Sequence, residues 1–270
     1  MKINLLLCVG ASCIYTILAC SAKLHQREPS LNPSAQLSSS RFVPDGYSLA
    51  FSDEFNIGKL DTTKWDYRLG EKFGGGYASV QIAANIAIKS GKLIVKGVFN
   101  DTRTGGRNSG GGIISKQHFK YGYYEASAKM QRTAWWHSAF WTFNNINTSR
   151  KTEIDVFERD NAYDIDDGVL KIRQNIIQHS GGKPTTLKGS VKHPLTFDPS
   201  KSFHVYGMLW NKDEVKFYVD GELTNTIPYA ASDYPQDENA IWLSMIGKNK
   251  TLANGECYFD YVRYYKEIKK

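Results

Sequence analysis

Thr152-Glu153-Ile154-Asp155-Val156-Phe157-Glu158-Arg159-Asp160 is the stretch that decides how this chain is read. Acids alternate here with large apolar residues, the pattern of a strand with one face in a core and the other in water. Glu153 and Asp155 share a face, while Ile154 and Val156 point the other way. Glu158 breaks the pattern. It stands five residues after Glu153, an odd step that would turn its carboxylate into the core, where an isolated charge is costly. A bulge at Val156-Phe157 removes the conflict, because one extra residue returns Glu158 to the face of Glu153. Four effective steps of about 3.3 Å then put the two Cα atoms roughly 13 Å apart.

On a curved strand, two Glu side chains leaning together could bring their carboxyls to ~5–5.5 Å, the separation used in retaining glycoside cleavage. One carboxylate attacks the anomeric carbon, and the other, protonated, donates to the leaving oxygen. Three neighbouring acids cannot all ionise cheaply, so the pKa of the acid partner should rise. Once the nucleophile is glycosylated its charge is gone, and the partner can activate water. Asp155, between them, could orient the nucleophile. By itself the Glu-x-Asp-x-x-Glu pattern would also suit a solvated strand face or a calcium site. The aromatic run from Trp135 to Phe143 favours a sugar-binding cleft, since such rings offer flat apolar faces with polar tips.

The rest of the chain supports strands. At 270 residues it can build a substantial core, as one large domain or two small ones. Aromatics make up 13%, with 16 Tyr and 13 Phe, and 23 Gly punctuate the sequence, a mix that favours short strands and turns. Apolar runs bounded by Gly, Asn, Asp or Lys recur, among them Leu93 to Val98, Tyr121 to Met130, Ile172 to Gln178, His204 to Trp210 and Tyr258 to Tyr265. Ser90-Gly91 and Asp220-Gly221 read as turns. No stretch keeps an apolar helical stripe over three turns, and no internal repeat is visible. An all-β fold follows: one large antiparallel sandwich with Greek-key connections.

The formal charge is +7, but Lys and Arg are spread along the chain, with only Lys269-Lys270 as a short pair. That argues against a nucleic-acid partner. It is compatible with a diffuse field attracting a sulfated polysaccharide, or with simple solubility. Cys8, Cys13 and Cys20 fall in the first 20 residues, leaving Cys257 as a lone, buried and inert thiol. Lys2 followed by the apolar run Ile3 to Ala19 has the form of a secretory signal and is short for a spanning helix. Ile17-Leu18-Ala19-Cys20 resembles a bacterial lipobox, with Cys20 as the acylated residue. Residues 1–20 therefore read as a leader and 21–45, rich in Ser, Pro, Gln and Asn, as a flexible tether. Residues 46–270 read as the folded domain. The expected location is exported and membrane-anchored, on the periplasmic or cell-surface side; an ordinary cleaved signal would instead give a secreted protein. The membrane is expected as a partner only through that anchor, and the domain as a monomer.

Between Leu49 and Lys266 several ordered segments carry a family resemblance. They are Phe51-Ser52-Asp53-Glu54-Phe55-Asn56, Leu60 to Trp65, Asn85 to Ile88, Gly112 to Lys120 with Tyr121 to Ala126, Phe203 to Trp210, Phe217 to Gly221, and Asp260-Tyr261-Val262-Arg263. Together with Glu153-Ile154-Asp155-Val156-Phe157-Glu158 they resemble glycoside hydrolase family 16, in its bulged-motif branch of laminarinases, agarases, porphyranases and kappa-carrageenases. The resemblance implies a jelly roll of two curved antiparallel sheets with an open cleft on the concave one. It also implies Glu153 as nucleophile, Glu158 as acid/base and Asp155 as assistant. Trp141 resembles the tryptophan that stacks on sugars, but Trp135-Trp136-His137-Ser138-Ala139-Phe140-Trp141 departs from the common Trp-Pro-Ala-Phe-Trp form, so Trp136 is also a candidate. His179, after the strand Ile172 to Gln178, could donate to a sugar hydroxyl. Arg68, in the loop after Trp65, could reach substrate or a sulfate. Asp260 matches a position that helps bind a structural calcium in some members; no metal site is assigned and no cofactor is required. The expected activity is retaining endo-hydrolysis of a polysaccharide, leaning to a red-algal galactan of the agar, porphyran or carrageenan type. A laminarinase-like endo-β-1,3-glucanase, a transglycosylase and a non-catalytic glycan-binding surface protein remain as alternatives.

Overall fold

Period-two burial, not helical spacing, organises this protein. Residues 42–144, 150–160, 165–166, 168–181, 183–234 and 236–268 are described by a computed structural model. The leader with Cys20, and the tether up to residue 41, lie outside these residues. In chain order the first strands are β1 (Tyr47–Asp53), β2 (Trp65–Tyr67), β3 (Gly70–Gly74), β4 (Tyr77–Gln81), β5 (Ile86–Ile88), β6 (Leu93–Asp101) and β7 (Arg107–Phe119). The middle of the chain gives β8 (Gly122–Lys129), β9 (Trp136–Phe143), β10 (Arg150–Arg159), β11 (Ile165–Asp166), β12 (Val169–Ser180), β13 (Lys183–Thr186) and β14 (Val191–Pro194). β15 (His204–Trp210), β16 (Glu214–Val219), β17 (Glu222–Pro228), β18 (Asn239–Gly247) and β19 (Gly255–Glu267) complete the fold.

Two antiparallel sheets face each other. One, the cleft sheet, runs β2-β7-β18-β9-β10-β12, with β13 and β14 on the far edge of β12. The other, outer sheet runs β17-β16-β15-β8-β19, with β1 and β6 on the far side of β19. The chain crosses repeatedly between them: β8 is outer, β9 to β14 belong mainly to the cleft sheet, β15 to β17 are outer, β18 returns to the cleft and β19 leaves it. This is the expected jelly roll, and the core lies between its two layers. Ile113, Phe140, Ile154, Val156, Ile172, Ile176 and Leu243 from the cleft sheet meet Val95, Tyr124, Ala126, Tyr206, Met208, Phe217 and Phe259 from the outer one. Packing starts before Tyr47, because a side chain at Gly221 would collide with the Phe42 ring, so the last residues assigned to the tether already belong to the fold. Cys257 is fully buried, and burial pushes its thiol up to about 12, as an inert core residue requires.

The bulge expected at Val156-Phe157 is present. Against β9, Asp155 pairs with Trp141 and Phe157 with the very next residue back, Phe140, so Val156 is the extra residue. Against β12, Asp155 pairs with Asn175 and Glu158 with Arg173. Val156 and Phe157 both turn inward and are fully buried. The Phe157 ring lies 4.7 Å from Tyr206 and 6.3 Å from Phe259, both on the outer sheet.

Trp136 is a correction. It does not line the cleft: it is fully buried in the core, and its Nε1 donates to the Ala253 carbonyl at 2.8 Å. Trp136 and Trp141 are an odd number of residues apart in an unbulged strand, so only one of them can face outward. Trp135, at φ 67°, sets the entry to β9, and Lys250 Nζ lies 4.9 Å from its ring. The Trp136 indole fills a slot floored by glycine: a Cβ at Gly97 would sit 2.5 Å from its ring and one at Gly255 2.8 Å. Trp136→Ala is therefore expected to lower unfolding free energy by about 3–5 kcal/mol in a denaturant titration. A cleft-lining tryptophan at that position would change stability by only about 0.5 kcal/mol.

Candidate active site

Alternation places one set of side chains on the open face of the cleft sheet. From β9 these are His137, Ala139, Trp141 and Phe143; from β10 Glu153, Asp155 and Glu158; from β12 Arg173, Asn175, Ile177 and His179; from β18 Trp242, Ser244 and Ile246. With Arg68, beyond β2, and Tyr77, from β4, they line a cleft of about 690 Å³. Strand register arranges them in rows. Trp242, Trp141, Asp155 and Asn175 sit side by side across four strands. In the adjacent row stand Ser244, Ala139, Glu158 and Arg173. The small Ala139 leaves room beside the Glu158 carboxyl.

The three acids are together on one face, in different surroundings. Glu153 is 19% exposed, and its Oε2 lies 2.7 Å from His179 Nε2. Asp155 is buried, and its Oδ2 has no hydrogen-bond partner among the described residues. Burial, reinforced by the charges of Glu158 and Glu153, pushes its pKa well above the usual carboxylate range. Glu158 behaves oppositely. Burial raises its pKa, but His137 and Arg173 outweigh that and leave it below the ordinary value. Asn175 Nδ2 donates to Glu158 Oε2 at 2.7 Å, and Arg173 Nε is 3.8 Å from the same oxygen.

His137, Asp160, Arg173, Asn175 and Lys248 were not singled out by sequence reasoning. His137 Nε2 is 3.1 Å from Glu158 Oε1, and its Nδ1 is 3.0 Å from Asp160 Oδ1. Asp160 is fully buried; Arg173 Nη2 donates to its Oδ1 at 2.7 Å, and Lys248 Nζ lies 3.4 Å from its Oδ2. Burial alone would raise the Asp160 pKa, yet His137, Arg173 and Lys248 hold it far below the usual range. A signal for His137 existed: it is four residues before Trp141 on the same strand, an even step, so any cleft role for Trp141 puts His137 on the same face. Arg173 and Asn175 stand at even steps before His179 in the same way.

On the other side of the acids lies an aromatic and cationic wall. Trp141 and Trp242 are 4.7 Å apart with an interplanar angle of 34°. The Arg68 guanidinium sits over both, 5.3 Å and 5.4 Å from their ring centres. Ser244 ties the group together, since its Oγ accepts from Arg68 Nη1 at 2.9 Å and from Trp141 Nε1 at 3.1 Å. Gly112 permits the approach: a Cβ there would lie 2.9 Å from the Leu243 carbonyl oxygen and from Ser244 Cβ. Burial lowers the Arg68 pKa to about 10, so the side chain stays cationic at neutral pH.

Arg68, Trp141 and His179 thus stand in the cleft with the three acids, and Trp136 does not. The Asp260 carboxylate lies on the surface, 3.2 Å from Lys92 Nζ.

Comparison with known proteins identifies the family. Residues 48–267 match the family model for the GH16 domain of beta-porphyranases A–D. Beta-porphyranase E of Zobellia galactanivorans is 30% identical over 200 residues, covering 68% of this chain and 71% of that protein. Beta-porphyranase B of Phocaeicola plebeius is 29% identical over 281 residues, covering 84% and 87%. The crystal structure of porphyranase B from Zobellia galactanivorans superposes with a TM-score of 0.64 at 22% identity, over 82% of this chain and 92% of that one, which shows a common fold. A bulged acidic strand under a tryptophan wall, in a jelly roll matched along nearly its whole length, places this chain in glycoside hydrolase family 16, in the beta-porphyranase A–D branch.

Proposed function

We propose that this glycosidase is a retaining, endo-acting hydrolase of a sulfated red-algal galactan of the porphyran type. The carrying observation is the set of three carboxyls that the bulge brings to one face of the cleft. Glu153 is the nucleophile: partly exposed, with His179 Nε2 against its Oε2, it can attack an anomeric carbon. Glu158 delivers a proton to the leaving oxygen as the C1–O bond breaks and the Glu153–C1 bond forms. Water then attacks C1, the ester bond to Glu153 breaks, and the water proton goes to Glu158. Asp155 keeps its proton because it is buried between two carboxylates, so it is a neutral donor beside the nucleophile.

The substrate class follows from the wall and from the relatives. Trp141 and Trp242 offer apolar faces for a sugar ring, and Arg68 adds a fixed cation held flat against them, suited to a sulfate ester. The relatives named above are beta-porphyranases. Residues from Arg68 to His179 and Thr186 line one continuous cleft across the sheet, which suits the middle of a chain better than its end. We further propose export, with Cys20 acylated as a membrane anchor and residues 21–41 as the spacer.

Four outcomes are expected. Glu153→Gln should abolish reducing-end release while leaving thermal stability and polysaccharide binding intact; an active variant would sink the mechanism. Among porphyran, agarose, kappa-carrageenan and laminarin digested side by side, porphyran should be cut fastest, with a rate that falls as salt rises. Arg68→Ala should lose about 10–100-fold in kcat/KM on that chain, the loss of a charge-assisted hydrogen bond. Preferential cleavage of laminarin would overturn the galactan reading and leave the glycosidase in place. Finally, Cys20→Ser should move the expressed full chain from the membrane to the soluble fraction, and an unchanged distribution would remove the anchor.

A further inference from the structure

Glu158 poses a problem if it acts alone. A general acid must hold a proton at working pH, yet three donors, His137 Nε2, Asn175 Nδ2 and Arg173 Nε, crowd its two oxygens and favour the carboxylate. The geometry behind it supplies an answer. Asp160 is buried and faces Arg173 Nη2 at 2.7 Å and Lys248 Nζ at 3.4 Å, so it is an anion. His137 Nδ1, 3.0 Å from Asp160 Oδ1, must therefore carry a hydrogen and donate it. The tautomer is fixed, and Nε2 is left as the one variable position of the ring. It points at Glu158 Oε1 from 3.1 Å.

We propose that the catalytic proton is held jointly by His137 and Glu158, on the Nε2–Oε1 axis, with Asp160 fixing the ring that stores it. This rests on the assignment of Glu158 as acid/base. In one form the imidazolium faces a carboxylate; in the other a neutral imidazole accepts from the Glu158 carboxyl. Both hold one proton, and the net charge is equal. Transfer from Nε2 to Oε1 readies Glu158 as bond cleavage begins, and the proton leaves with the sugar oxygen. His137 is then neutral, its Nε2 lone pair facing the Glu158 carboxylate, a repulsion that makes the pair a strong base for the attacking water. The water proton restores the starting state, so the cycle balances with no other donor.

The surroundings support retention of that proton. His137 is 4% exposed. Among the described residues, the groups facing it are Glu158 from β10 and Asp160 just past its end, Arg173 from β12, the Tyr77 ring of β4 at 5.4 Å, and Lys248 just beyond β18. Arg173 Nη2 comes within 3.3 Å of Nδ1 but directs its hydrogen to Asp160. Tyr77 is neutral, since burial pushes its hydroxyl well up. Lys248 is held 3.7 Å over the Tyr77 ring centre, which keeps its charge on the Asp160 side. Burial lowers the His137 pKa, and the two carboxylates outweigh it and raise it above the usual imidazole value.

The test compares two leaving groups on aryl glycosides of the disaccharide that the wild-type enzyme releases from porphyran. A phenyl group needs a proton to depart; a 2,4-dinitrophenyl group does not. For His137→Asn, kcat on the phenyl glycoside at pH 7.5 should fall about 100-fold or more, its basic limb should move toward acid, and the dinitrophenyl rate should hardly change. An equal loss on both glycosides, or an unmoved basic limb, would make His137 merely structural. Glu158→Ala is run in parallel; if it keeps the wild-type ratio between the two glycosides, Glu158 is not the acid and the underlying assignment falls instead. A second measurement does not depend on a core variant. By ¹⁵N NMR of histidine-labelled full-length protein, the His137 titration should shift to lower pH in Glu158→Gln, and an unshifted titration would overturn the shared proton.

Discussion

The inward turn of both Val156 and Phe157 is the constraint on which the site depends. A strand that alternated without fault would put Phe157 in the cleft and Glu158 in the core. The wrong register would expose a large ring and bury a carboxylate, losing about 1.5–3 kcal/mol of side-chain burial and adding a charge penalty. The observed register avoids both. Phe157 wedges between Phe140 on its own sheet and Tyr206 and Phe259 on the other, so the bulge is locked from below by core packing. The spacing of the acids is thus set by the hydrophobic core rather than by anything in the cleft.

That arrangement concentrates negative charge, and the fold compensates with cations on the Glu158 side. Asp160, two residues past Glu158, collects His137, Arg173 and Lys248 from β9, β12 and the turn after β18. β9 and β12, which flank the acids, contribute one partner each, and the turn after β18 contributes the third. Removing one partner of such a buried set typically costs about 3–5 kcal/mol, because the others are left uncompensated. The same network therefore does two jobs. It fixes β9, β10 and β12 relative to one another, and it fixes the tautomer of the ring that touches Glu158. At Asp155 burial and the two neighbouring carboxylates outweigh Asn175 and Arg173 and raise the pKa, so two acids on one strand are driven in opposite directions by their neighbours.

Local signals in the sequence reached the strand bearing the acids, the bulge and the sandwich, because each rests on alternation within one segment. The runs at Leu93 to Val98 or His204 to Trp210 fall inside strands for that reason. The β3–β4 hairpin escaped notice: β3 is exposed throughout, with Gly at both ends and Lys and Glu between, so no apolar period marks it. β13, equally exposed, escaped for the same reason. Residue type suits both Trp136 and Trp141 to a cleft, and only the odd step between them excludes one. Asp160 and Lys248 are different. They lie 88 residues apart in sequence, and nothing local shows that one neutralises the other.

The cleft divides into two halves with separate foundations. The acids rest on the bulge and the buried ion network. The sugar wall rests on Ser244, whose hydroxyl oxygen accepts from both Arg68 and Trp141, and on Gly112, whose missing side chain lets β2, β7 and β18 close up. Two residues of β9 join the halves: Ala139, small, between Ser244 and Glu158 in one row, and Trp141, beside Asp155 in the next. A change at Trp242, one strand further from the acids, can therefore alter which sugar is held without disturbing the carboxyls. A change at Ala139 cannot: any larger side chain there would intrude at once on the ground beside Glu158 and on the oxygen that holds Arg68 in place.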